Sequence, residues 1–124
     1  MKFQSSERRK LMRDVREMRR AWLLHHLECW YCGGRSTCVN EMACGSHREK
    51  ALSEPCCWSA ACWDCNRDAC QDYASWPLAV QLALKLKYDP QNFDRVKFNA
   101  IRGRAADAIS WCEVVIAYCL EFDL

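Results

Sequence analysis

Long apolar runs are missing from this chain of 124 residues. None approaches the roughly 20 residues that a membrane-crossing helix needs. The first twenty residues are charged and hold no apolar stretch of the kind an export signal requires. Internal repeats and low-complexity segments are also missing, so a repeat architecture is set aside. Imidazoles are scarce, with three in the chain. The strand–helix–strand pattern that would host a thioredoxin-like redox pair is absent. What remains is a chain of single-domain length expected to sit in a reducing, cytoplasmic compartment.

Cysteine is abundant. Eleven are present, an odd number, and nine fall within residues 28–75. In a reducing compartment clustered thiols point to metal rather than to disulfides; a disulfide-rich secreted scaffold is the alternative. Two Cys-x-x-Cys knuckles stand out, Cys29-Trp-Tyr-Cys32 and Cys62-Trp-Asp-Cys65. Two intervening residues let both thiolates of a knuckle reach one ion, and two knuckles complete a tetrahedral shell that suits Zn2+. Gly33-Gly34 permits the tight turn after the first knuckle. Such a site is expected to be structural and closed. Cys44 and His47 also have ligand spacing. With Cys38, Cys56, Cys57 or Cys70 they form a candidate second site, against the plainer reading of buried thiols. Cys112 and Cys119, seven apart, read as small buried hydrophobes of a last helix. His25 and His26 read as partners of the first helix's last carbonyls rather than as ligands.

The charge is uneven although the formal net is only +2. Residues 1–28 hold eight Lys or Arg against four acids, while residues 29–75 hold four against six. Residues 5–27 read as a helix capped by Ser5 or Ser6, with Glu7 in its first turn. Leu11, Val15, Met18 and Trp22 draw an apolar stripe at spacings 4, 3, 4. Arg9, Arg13, Arg16 and Arg20 draw a second one, about 160° around at 100° per residue. Guanidinium groups match phosphate oxygens, so this stripe is the expected nucleic-acid contact; the alternative is a plain solvated face, partly balanced by Asp14 and Glu17.

Residues 28–75 read as loops and short strands organised by metal, with a short helix near Arg48–Leu52. Residues 76–124 read as a helical cover. Pro77 opens a helix that runs to about Tyr88 and stops at Asp89-Pro90. Asp94 caps a second helix, which Gly103 stops. Ser110 and Glu113 form a capping box for a third, Trp111 to about Leu120, with a β-branched strand at Val114–Ile116 as the alternative. The fold class expected is α+β, helix-rich and zinc-stapled, as one domain over 1–124. Trp30, Trp58, Trp63 and Trp76 are expected to pack over the zinc; an exposed one would mark a protein contact.

The order of these pieces resembles the HNH endonuclease family, closest to its small phage and bacterial members. The resemblance runs over residues 29–120. It rests on the first knuckle and Gly33-Gly34, then Val39-x-Glu41-Met42, His47-Arg48-x-x-Ala51-Leu52 and Cys62-x-x-Cys65-Asn66. Trp76-Pro77, Gln81 to Lys85, Asp89-Pro90-x-x-Phe93-Asp94 and Arg102-Gly103-Arg104-Ala105 follow. It implies a ββα-metal, treble-clef core, a general-base His at the end of the first strand and a divalent ion on the scissile phosphate. The position of that His is Asn40, which has no titratable proton near neutrality. Cys57 stands where the family has its middle Asn, and the last His falls near Asn66 or Cys70. The expectation is therefore a nucleic-acid-binding protein, DNA more than RNA, with hydrolysis lost or weak, in a bacterial host cell if phage-encoded. The alternatives are a Mg2+- or Mn2+-dependent nuclease using Glu41, His47, Asn40 and Asn66, or a zinc-stapled protein-interaction module.

Overall fold

In this computed structural model the residues described are 5–42, 48–66 and 78–103. Their order is helix α1 (Ser6–Leu23), strand β1 (Cys38–Glu41), helix α2 (Arg48–Ala51), strand β2 (Trp58–Ala61), helix α3 (Leu78–Tyr88) and helix α4 (Arg95–Ile101). The result is a small α+β domain with a two-stranded sheet and a cysteine cluster. Among the described residues no helix is long and apolar enough to cross a membrane.

α1 begins where its cap places it: Ser5 Oγ accepts the N–H of Arg8 at 3.0 Å. Its inward line differs from the expected one. Val15 and Trp22 are buried, but Leu11 and Met18 remain 41% and 42% exposed. The line facing the domain is Arg8, Met12, Val15, Arg19 and Trp22. That is a turn of about 50° about the helix axis at 100° per residue. Polar anchors account for it. Arg19 Nη2 donates to Glu41 Oε1 at 2.7 Å and to the Leu52 carbonyl at 3.1 Å. Arg8 pairs with Glu49, and Trp22 Nε1 donates to Asp89 at 3.1 Å. The helix also ends four residues earlier than the expected residue 27. Beyond it the Leu27 carbonyl accepts the Ser36 N–H as the chain enters the first knuckle.

β1 and β2 pair antiparallel, with Cys38 opposite Ala61 and Asn40 opposite Ser59. Between them run α2, close to the expected short helix, and a 3-10 turn at Pro55–Cys57. Ser59, Ala60 and Ala61 are fully buried, and small side chains here let α3 approach the sheet. α3 ends at Asp89-Pro90 as expected. α4 is capped by Asp94, which accepts the Lys97 N–H at 3.1 Å. It stops before Gly103, whose φ of +70° favours glycine. The expected helix or strand over 111–120, with Cys112 and Cys119, lies outside the described residues.

The main core is aromatic. Trp22 meets Trp30 and Trp58 edge-on, at centroid distances of 5.7 and 5.8 Å, and His26 lies on Trp22 at 4.3 Å. Trp30 and Trp58 thus sit in this core rather than over the cysteine cluster, correcting the expected zinc cover. Trp63 is 67% exposed, and Trp76 lies outside the described residues.

Inside the core lies a charged pair. Lys85 and Asp89 are both fully buried, with Nζ 2.7 Å from Oδ2. Lys85 also donates to the carbonyls of Pro55 at 2.6 Å and Trp58 at 2.9 Å. Three ammonium protons thus meet three acceptors, which offsets the cost of burying the charge. Asp89 in turn accepts from Trp22 and from Asn92. This network ties α1, the turn before β2 and α3 together.

Candidate metal centre

The first knuckle is a short ribbon. Glu28 and Arg35 bridge, Cys29 N–H donates to the Gly34 carbonyl at 2.7 Å, and Gly33 N–H donates back to Cys29 at 3.0 Å. Gly33 has φ +78°, a conformation other residues adopt at a cost. A Cβ on Gly34 would come within 3.4 Å of Cys32 Sγ. The two glycines therefore serve the turn and the approach of backbone to sulfur. The second knuckle leaves β2 at Cys62 and enters a helical turn over 63–66. There the Cys65 N–H points at Cys62 Sγ, 3.5 Å away.

The sheet brings the two knuckles together, and the sulfurs of Cys29, Cys32, Cys62 and Cys65 all lie within 4.8 Å of one another. Cys32 and Cys62 sulfurs are 3.7 Å apart. A tetrahedron with zinc–sulfur arms of about 2.3 Å has edges of about 3.8 Å, whereas a disulfide needs about 2.05 Å. All four thiols are free. The donor set therefore fits one soft-to-borderline cation with no ligand position left over. It is the one such group of three or more His, Cys, Asp or Glu among the described residues.

The surroundings of Cys29, Cys32 and Cys65 also favour a cation among the sulfurs. Burial pushes the Cys29 thiol up, but N–H groups of Cys32, Cys62 and Tyr31 aimed at its sulfur outweigh this and bring it below the ordinary value. At Cys65, burial and then the neighbouring thiols push the value well up. At Cys32 the Gly34 N–H favours the thiolate, yet the thiols of Cys29 and Cys62 carry the balance upward. Four thiolates this close repel one another, and a divalent ion at their centre reverses the sign of that interaction. Among the described residues apolar packing here is thin: Cys29, Ala61 and Cys65 form the buried cluster, with Tyr31, Cys38 and Cys62 at its edge.

The remaining described cysteines stand apart from this shell. Cys38 lies beside it, its Sγ donating to the Ala61 carbonyl at 3.4 Å. Cys56 and Cys57 are buried in the main core with their sulfurs 3.8 Å apart. Cys44, His47 and Cys70 of the candidate second site lie outside the described residues.

The residues considered for hydrolysis are dispersed. Asn40 is 1% exposed, and its Nδ2 faces Ser59 Oγ at 3.0 Å, Gln81 Oε1 at 2.8 Å and the Tyr31 hydroxyl at 3.3 Å. Glu41, its neighbour in the strand, points to the other face and meets Arg19. Asn66 faces Cys38 at the metal end. His47 lies outside the described residues. Arg9, Arg13, Arg16 and Arg20 are all exposed along α1.

Sequence reasoning assigned no role to the side chains of Arg19 and Lys85, which pair with Glu41 and Asp89. His26 reads as a helix-end residue, yet it stacks on Trp22 and lies 3.6 Å from Asp89.

The chain matches no family model, no curated protein and no solved structure. The arrangement itself carries the functional argument.

Proposed function

We propose that this is a zinc-stapled, HNH-like module that binds nucleic acid without hydrolysing it. The observation that carries the reading is the division of labour among the α1 arginines. Arg8 and Arg19 turn inward onto carboxylates, while Arg9, Arg13, Arg16 and Arg20 stay exposed along one line. At 1.5 Å per residue that line runs about 16 Å, long enough to follow several phosphates. Four thiolates and a tetrahedral fit favour Zn2+ for the metal, in a structural role. The run of knuckle, hairpin and second knuckle at a helical turn supports the treble-clef reading.

Loss of hydrolysis is supported by Asn40, which is sealed in the core where the resemblance places the general base. A base must reach the water it deprotonates. Glu41 is held by a guanidinium, so Mg2+ or Mn2+ would compete with Arg19 for it.

The test is a titration of labelled DNA at several salt concentrations, with native protein and Arg9→Ala/Arg13→Ala. Log affinity of the native protein should fall by about 0.9 per log salt for each duplex phosphate neutralised. The double variant should flatten that slope by about two and weaken all sequences alike. A variant that binds like the native protein at every salt concentration would sink the proposal. Incubation with plasmid and Mg2+ or Mn2+ should leave the plasmid intact.

A further inference from the structure

Where α1 ends, its arginine line opens into a groove of about 480 Å³ between the helix and the outer edge of β1. Arg16 and Arg20 come from the helix, and Arg35 reaches in from the ribbon after the first knuckle. Arg19 lies behind them, held by Glu41. None of the described residues lining the groove is acidic. Between the arginines stand Leu24 and Leu27, 68% and 66% exposed. Ser36 and Thr37 line the strand side. The groove thus offers cationic forks and apolar wall to one occupant.

That combination selects among anionic polymers. A duplex presents phosphates and sugars outward and keeps its base faces stacked, so it can satisfy the arginines but cannot cover the leucines. A single strand carries phosphates along one side and unstacked base faces along the other. We infer that the groove of Arg16, Arg20 and Arg35 with Leu24 and Leu27 is a seat for single-stranded nucleic acid, phosphates on the guanidinium groups and base faces on the leucines. This inference rests on the nucleic-acid reading above and names the form of ligand that the same helix selects. The duplex contributes only the salt-dependent part of the binding, through the exposed arginine line.

The experiment compares a labelled single-stranded oligonucleotide with its duplex, by fluorescence anisotropy at one salt concentration, on the full chain loaded with zinc. Variants are Leu24→Ser/Leu27→Ser and Arg35→Ala, each checked for native zinc content. The two leucine side chains are already in water, so their loss should leave the fold intact. Native protein should prefer the single strand. The leucine pair should weaken single-strand binding on the order of tenfold while leaving the duplex within about twofold, because only the single strand covers apolar surface. Arg35→Ala should weaken the single strand by about threefold or more, as loss of a phosphate contact does. Equal binding of both forms, or an equal response of both to the leucine pair, overturns the inference but leaves the nucleic-acid reading standing. Binding of neither form overturns both. A poly-glutamate peptide that displaces the single strand at equal charge concentration also overturns it, and assigns the groove to an acidic protein partner.

Discussion

Asn40 shows how much one side chain's surroundings decide. Its amide stands among Ser59, Gln81 and Tyr31, all inside the domain. Asn40→Ala should cost about 1–3 kcal/mol, because Gln81 and Ser59 lose a buried partner, and bound zinc should stay unchanged. Asn40→His restores the residue type that the HNH pattern has here, but not its access to water. It should destabilise the fold in a denaturant titration and give no cleavage of plasmid DNA with Mg2+. Cleavage by that variant would show that the strand is more open than its burial implies. Nothing in Cys38-Val39-Asn40-Glu41 says which alternate residue faces inward; Gln81, more than forty positions away, does.

His26 makes a pH prediction at the same scale. Burial lowers its pKa from the ordinary 6.5; Asp89 pulls it upward, and Lys85 and His25 push it further down. The unfolded chain therefore takes up a proton as pH falls through 6.5, while the folded chain resists until its own lower value. Stability is fully present above 6.5 and declines as pH drops below it. His26→Gln cannot take the proton and should show a flatter profile in thermal melts over that range. Equal slopes for the two proteins would remove His26 as the cause and leave protonation of the four clustered cysteines.

Among the elements, α1 carries the clearest contrast. Its arginines look alike in sequence, yet they belong to two groups. The Arg19 side chain is 21% exposed and its partner Glu41 8%. Arg19→Ala should destabilise by about 1–3 kcal/mol, since the buried Glu41 carboxylate loses its guanidinium partner. Arg9→Ala, on the exposed line, should shift stability by less than about 0.5 kcal/mol. Chemical denaturation of the two variants side by side checks this. The helix start was legible, because the Ser5 cap is local chemistry. The rotation of the helix was not. An apolar stripe of Leu11, Val15, Met18 and Trp22 is a sound pattern, but the contacts of Arg19 with Glu41 and of Trp22 with Asp89 turn the helix so that Leu11 and Met18 stay exposed.

At the scale of the whole molecule, two centres organise the described residues. One is the tryptophan core with its buried Lys85–Asp89 pair, and the other is the cysteine cluster, which among the described residues has little apolar packing of its own. The metal end should therefore depend on its ion. Metal analysis should find about one zinc per chain, and a strong chelator should unfold or aggregate the protein. Changing Cys29, Cys32, Cys62 or Cys65 to Ser should do the same. Circular dichroism before and after chelation tests the claim, and a native spectrum in metal-free protein would refute it.

The sequence by itself determined what local chemistry controls. Two knuckles, each with thiols three positions apart, marked the four cysteines that the fold gathers into one candidate metal site. Caps and breakers at Ser5, Asp89-Pro90, Asp94 and Gly103 marked helix ends to within a few residues. In each case the partners lie within one turn of the chain, or the pattern repeats along it. Tertiary structure alone decided the roles whose partners are remote in sequence. Lys85 became a core residue because Pro55 and Trp58 carbonyls converge on it. Asn40 became a core amide, Arg19 an internal ion pair, and Leu24 and Leu27 the wall of a groove closed by Arg35. A side chain's pattern in sequence reports its spacing; its burial is set by what the rest of the chain brings to it.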